Sequence, residues 1–211
     1  MGKACCRFLN IRRDILVKIL NIYTYHLSVE YFIAITPPKE YGEIITQFQR
    51  RWPNNALLDF VEPHITVKSQ AGLNEDEYWI DSIKKICSNF AMFNLSLKGV
   101  KSFGKSVVYL GVESNRIRVL HRKIVEVISL NPENSRRYYE LDLYEPHLTL
   151  GSKEFGMSEV ELSEMKKLAN DRLHDFHSFI VNSLKIYKLS ETKYQKIHEL
   201  YLKHIDRDEI F

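Results

Sequence analysis

One stretch of eight residues occurs twice in this chain, and that repetition restricts the fold more than any other feature. Glu62-Pro63-His64-Ile65-Thr66-Val67-Lys68-Ser69 returns as Glu145-Pro146-His147-Leu148-Thr149-Leu150-Gly151-Ser152. Each copy occupies the same place in a longer pattern. In the first, Tyr31 to Thr36 reads as a buried strand closed by Pro37-Pro38, and Ile44, Ile45, Phe48 and Trp52 mark one face of a helix. A short strand over Ile65 to Val67 follows. Asn74 then caps a second helix, with Glu75, Asp76 and Glu77 in its first turn and a buried stripe of Trp79, Ile80, Ile83, Ile86, Cys87 and Phe90. Phe93, Leu95 and Leu97 alternate with polar residues, as a half-buried strand requires.

The order then recurs. Val107 to Val112 is a strand, and Ile117, Leu120, Ile124, Val127 and Ile128 line a helix. Leu148 and Leu150 mark a short strand, and Ser158 with Glu161 forms a capping box ahead of Leu162, Met165, Leu168 and Ala169. Phe179 to Leu189 is a further strand, bulged near Asn182-Ser183, and Ile197 to Leu202 is the last. Strand, helix, strand, helix, strand thus appears twice at an offset of roughly 80 residues, a duplication too long for a solenoid unit. The expected architecture is α+β and bilobal: two antiparallel sheets facing a central cleft, with helices outside. The lobes correspond to repeats of about 31–101 and 107–202 inside one domain, 29–205, with a tail at 206–211.

With 211 residues, 45% of them hydrophobic and 27% charged, the chain has the composition of an ordinary globular domain. A formal charge of +3 is too small for binding along lengths of nucleic-acid backbone but suits a local phosphate site. Cys5, Cys6 and Cys87 offer neither a disulfide framework nor zinc-ribbon spacing, which predicts a reducing, cytoplasmic setting. In residues 1–28, Arg12, Arg13, Asp14, Lys18 and Asn21 interrupt the apolar run, so no membrane span is expected. Met1-Gly2 resembles an acylation signal, but Cys6 stands where that motif wants Ser or Thr. Ile11, Ile15, Ile19 and Ile22 share a helical face, so this segment reads as an extension carrying a short amphipathic helix.

Burial explains the repeated apolar positions. It does not explain Glu-Pro-His-x-Thr. Side chains alternate along a strand, so His64 and Thr66 share one face and Ile65 and Val67 the other, and His147 and Thr149 do likewise. If a pseudo-two-fold relates the halves, two imidazoles and two hydroxyls converge. Cleaving a phosphodiester requires a base for the attacking oxygen and an acid for the departing one, and histidine can be either near neutral pH. The threonine hydroxyls can donate to the non-bridging oxygens. Lys68, of the same strand parity, can add a positive charge, whereas its counterpart is Gly151. This scheme needs neither metal nor cofactor.

The paired His-x-Thr strands in a duplicated α/β unit resemble the 2H phosphoesterase superfamily, including its 2'-5' RNA ligase-like (LigT-like) members. The resemblance covers roughly Tyr31 to Leu202. It implies a bilobal fold with a central cleft and metal-free chemistry at 2',3'-cyclic phosphates or 2'-5' linkages, with a ribonucleotide or RNA terminus as substrate. The catalytic roles it implies fall on His64 and His147, and the phosphate-binding roles on Thr66 and Thr149. Gly99-Val100-Lys101-Ser102-Phe103-Gly104 is similar to the family's substrate loop, where Phe103 can stack on a base. Glu62 and Glu145 read either as surface residues or as groups that orient an imidazole.

Other residues weigh less. His174 and His177, and His198 and His204, lack a metal-ligand pattern and read as structural or surface groups. His121, beside Arg122 and Lys123, reads as an exposed helix position, and Arg136-Arg137-Tyr138-Tyr139 as a charged loop edge. The rival readings are a module that captures a nucleotide or RNA end without turnover, and a metal-dependent hydrolase built on the C-terminal histidines.

Overall fold

The structure is a computed structural model that describes residues 30–128, 132–174 and 176–204. The N-terminal helix expected over Ile11 to Ile22 and the tail at 206–211 lie outside the described residues. The strands are β1 (Tyr31–Ile35), β2 (Ile65–Lys68), β3 (Phe93–Phe103), β4 (Val107–Glu113), β5 (His147–Ser152), β6 (Phe179–Val181), β7 (Ser183–Ser190) and β8 (Lys193–Tyr201). The helices are α1 (Lys39–Gln49), α2 (Leu57–Phe60), α3 (Trp79–Asn89), α4 (Asn115–Ile128), α5 (Pro132–Arg137) and α6 (Glu159–Arg172).

The strands form one eight-stranded sheet in the order β6-β3-β4-β5-β2-β1-β7-β8. This corrects the expectation of two separate sheets. The halves β2-β1-β7-β8 and β5-β4-β3-β6 meet through β2 and β5, which are antiparallel and joined at a single register pair, Ile65 with Leu148. Hydrophobic periodicity marks a strand but not its partner, so a junction one pair long leaves no trace in the sequence. The halves of the sheet also do not coincide with the repeats. The third strand of the first repeat, β3, pairs with β4 of the second, and β7 of the second pairs with β1 of the first.

The chain between His177 and Ser190 shows how far the sheet bends. Only Asn182 separates β6 from β7, yet they stand first and seventh in strand order, so the sheet curls until its ends approach. The bulge expected near Asn182-Ser183 is this break. The start of β3 is stitched to the end of β8: the Met92 amide donates to the Lys203 carbonyl at 3.0 Å, and the Lys203 amide to the Phe90 carbonyl at 2.9 Å.

Alternation along the strands sends Ile33, Ile35, Ile65, Val67, Leu148 and Leu150 into the main core, against Ile83 of α3, Ile117, Leu120 and Ile124 of α4, and Leu162 and Met165 of α6. Full burial of each aliphatic side chain contributes about 1.5–3 kcal/mol. β1 is buried on both faces, because Phe32 and Ala34 join Leu57, Val61 and Tyr187 in a smaller cluster on the other side. α6 begins with the expected capping box of Ser158 and Glu161. α3 begins later than Asn74 implied, at Trp79. Tertiary contacts outweigh the local cap there: the Glu77 carboxylate accepts from the Tyr31 hydroxyl at 2.6 Å and pairs with Lys188 at 3.3 Å. Among the described residues no helix is long and apolar enough to cross a membrane.

Candidate active site

His64 immediately precedes β2, and His147 opens β5. Continuing the antiparallel register one residue either side of Ile65–Leu148 sets His64 against Thr149 and Thr66 against His147. Ile65 and Leu148, both fully buried, fix the core face of this pair. The four motif side chains therefore share the opposite face, where each is half-buried. The imidazoles are close enough that a charge on His147 disfavours one on His64.

The two rings are held alike. Nδ1 of His64 lies 2.8 Å from the Glu62 carbonyl oxygen, and Nδ1 of His147 lies 2.7 Å from that of Glu145. A carbonyl can only accept, so Nδ1 carries the hydrogen and Nε2 keeps its lone pair in the neutral ring. The proline between glutamate and histidine has a fixed φ, which favours the turn that brings this carbonyl back over the ring. Burial lowers both imidazoles from their ordinary value. For His64 the charge on His147 adds to that, while the Glu62 carbonyl and carboxylate oppose it. For His147 the Glu145 carbonyl and carboxylate oppose it. The free site thus favours two neutral rings, and a bound anion would raise both.

The glutamates, left open by the sequence, act here through their backbone and are fixed by their carboxylates. Glu62 accepts from the Tyr187 hydroxyl at 2.6 Å and lies 3.9 Å from Lys185. Glu145 pairs with Arg118 at 2.7 Å and lies 3.7 Å from Lys101. Lys185 and Lys101 hold equivalent positions, in register with Ala34 and Tyr109. The repeat alone could have pointed to the glutamates, but their partners come from β3, β7 and α4, and no local signal names them.

Aromatic rings wall both ends. Phe32 sits 5.0 Å from the His64 ring and stacks on Tyr187 at 4.7 Å. Tyr109 and Phe103 sit 5.0 and 5.1 Å from the His147 ring and stack on each other at 4.3 Å. The expected substrate loop is mostly strand: β3 runs on to Phe103, with a register shift at Gly99 and a tight turn at Gly104. Phe103 is 41% exposed beside His147.

Lys68 does not join this group. In the pairing of β1 with β2, Val67 is an extra residue between Thr66, opposite Ala34, and Lys68, opposite Ile33. Such a bulge shifts the alternation of faces by one residue, which defeats the parity expected of an unbroken strand. The Lys68 ammonium is wholly buried, 2.6 Å from Glu140, and also donates to the Ser69 and Ala71 carbonyls. A matching bulge at Leu150 turns Gly151 inward, where a Cβ would meet the sulfurs of Met157 and Met165. That contact explains why the two copies differ at this position.

His121 is likewise not on an exposed face. It is 2% exposed, donates from Nδ1 to the Val67 carbonyl at 2.7 Å and accepts the Leu141 amide at Nε2, 2.8 Å away. One donor and one acceptor demand a neutral ring, and burial lowers it to about 4. The helix phase set by Ile117 and Ile124 already points it inward, but Arg122 and Lys123 mask that. Among the described residues no group of three or more His, Cys, Asp or Glu could hold a metal ion.

Known proteins share this fold. TT0787 of Thermus thermophilus superposes with a TM-score of 0.59 at 14% identity, over 84% of this chain and all of that one. Escherichia coli LigT, in its complex with 3'-AMP, superposes with a TM-score of 0.55 at 17% identity, over 83% of this chain and 99% of that one. No curated protein matches the chain. The model of the 2'-5' RNA ligase superfamily matches residues 36–193, the span that holds both His-x-Thr strands, and the chain belongs to that superfamily.

Proposed function

We propose that this chain is a metal-independent phosphoesterase acting on 2',3'-cyclic or 2'-5'-linked ribonucleotide phosphates. In the hydrolytic direction, the Nε2 lone pair of one neutral imidazole takes a proton from water. The water oxygen then attacks phosphorus, and the bond to the 2' or 3' ribose oxygen breaks. That oxygen receives its proton from Nε2–H of the other imidazole, which a bound phosphate anion has brought to the charged form. Thr66 and Thr149 donate to the non-bridging oxygens as negative charge builds there. Phe103 stacks on the base beside His147.

The observation that carries this reading is the pair of imidazoles, each tethered by Nδ1 to a glutamate carbonyl, on adjacent antiparallel strands. Crystal structures of E. coli LigT with NADP+ and with 3'-AMP lend support to a nucleotide as ligand here. One observation favours the rival, a binding module without turnover: burial disfavours the charged imidazole that an acid catalyst requires. Purified protein assayed on 2',3'-cyclic mononucleotides, a 2'-5' oligoadenylate and a tRNA-derived end separates the two. Turnover that survives EDTA and disappears in His64→Ala and His147→Ala supports the enzyme. Binding without turnover supports the module, and loss on EDTA restored by added metal removes the mechanism.

A further inference from the structure

The two motif strands share an irregularity directly after each threonine, and the way it is resolved crosses the molecule. Val67 and Leu150 are each the extra residue of a β-bulge. A bulge leaves its extra residue outside the ladder, so the local carbonyls need other donors. In both strands those donors are side chains of the opposite repeat. The Tyr144 hydroxyl donates to the Thr66 carbonyl at 2.8 Å, and His121 donates to the Val67 carbonyl. In return, the Gln49 side-chain amide donates to the Thr149 and Leu150 carbonyls at 3.1 and 3.3 Å, and the Asn55 amide to the Leu150 carbonyl at 3.0 Å.

The correspondence is positional as well as chemical. Gln49 ends α1 and His121 lies on α4, the equivalent helices of the two repeats. Asn55 and Tyr144 each precede the motif of their own repeat. All four side chains are buried, and the Tyr144 ring stacks on His121 at 3.8 Å. On the second side the grip extends further, because Glu140 holds Lys68 and the Leu141 amide holds His121. Tyr139 and Leu141 adopt left-handed backbone conformations there, at φ of 53° and 56°, which side chains of their kind take only where surrounding contacts hold them.

We propose that Gln49, Asn55, His121 and Tyr144 form a reciprocal clamp in which each repeat positions the other's His-x-Thr strand, so that the two imidazoles and two hydroxyls keep the separation one phosphate requires. Because β2 and β5 touch at a single register pair, the ladder does little to fix that separation. The clamp supplies the missing constraint from outside the reacting group. These are positioning residues: they touch backbone, not substrate. The catalytic half of this inference rests on the functional reading above.

The test uses Tyr144→Phe and Gln49→Leu, each removing donors with little change of shape, together with His121→Leu and His121→Gln. A misplacement of about 1 Å at a reacting group lowers rates roughly 100-fold, so kcat is expected to fall about 10- to 100-fold with KM within about threefold. His121→Gln, which keeps a donor and an acceptor, is expected to recover part of what His121→Leu loses. The second readout is NMR titration of the His64 and His147 rings in the full chain. In Tyr144→Phe both midpoints are expected to move up toward the ordinary histidine value as water enters. Unchanged kcat per folded molecule, with a lower Tm alone, overturns the clamp. If the wild-type chain turns over neither a 2',3'-cyclic nor a 2'-5'-linked substrate, the functional reading fails by itself and the titration decides the clamp: shifted midpoints uphold it, and coincident ones overturn it.

Discussion

The two ends of the candidate site share their chemistry and differ in their walls. At both, an imidazole donates through Nδ1 to a glutamate carbonyl, a threonine sits two residues on, and a lysine stands near the glutamate's carboxylate. Beside His64, however, the rings of Phe32 and Tyr187 are buried and the Tyr187 hydroxyl is tied to Glu62. Beside His147, Phe103 stands at a hairpin tip with its ring open to solvent. Under the proposed function, duplication preserved what a phosphate group, itself nearly symmetric, needs from both sides. It did not preserve what would meet the remainder of a 2',3'-cyclic nucleotide, which has a base on one side only.

If the imidazoles are equivalent in necessity, His64→Ala and His147→Ala each lower kcat for a 2',3'-cyclic nucleotide by about 10²–10⁴-fold. The double variant is then little worse than either single one, because groups that act together are not additive. Steady-state rates measure this, and a variant that keeps near wild-type turnover breaks the equivalence. Thr66→Val and Thr149→Val are expected next, at about 10²–10³-fold each, with the loss in kcat rather than KM. Unequal losses would show that the hydroxyls do not face the phosphate alike.

The walls are expected to separate where the centre does not. Phe103→Ala raises KM for a base-bearing substrate by about tenfold, as loss of one stacking ring does, and leaves Tm almost unchanged. Phe32→Ala leaves KM nearly alone but destabilises the fold by about 3–5 kcal/mol, read by denaturant titration. The pH dependence gives the smallest effect. Burial disfavours the charged form of both rings, so both limbs of the kcat/KM profile derive from groups held below the ordinary histidine value. The profile is expected to be bell-shaped with its maximum below about pH 6.5. In the kcat profile both limbs move upward, because bound phosphate stabilises the imidazolium of either ring. A maximum above pH 7 in kcat/KM would contradict the sign of that burial effect.

How much of this is legible in the sequence follows from what each feature depends on. His64, Thr66, His147 and Thr149 can be read because strand alternation is local and the duplication supplies an internal comparison. Lys68 misleads because the bulge at Val67 exists only relative to β1, a partner the sequence does not name. The single sheet is hidden for the same reason, since its junction is one register pair. The glutamate carbonyls belong to the backbone, which has no sequence signature. His121 is the instructive case: its position between Ile117 and Ile124 gives the right face, and its charged neighbours argue for the wrong one.

A crystal structure of the chain with inorganic phosphate addresses the central claim most directly. The account predicts one ion between the rings, with Nε2 of His64 and Nε2 of His147 each about 3 Å from its oxygens and the Thr66 and Thr149 hydroxyls on the remaining ones. Phosphate held by one ring alone, or bound away from β2 and β5, would contradict it.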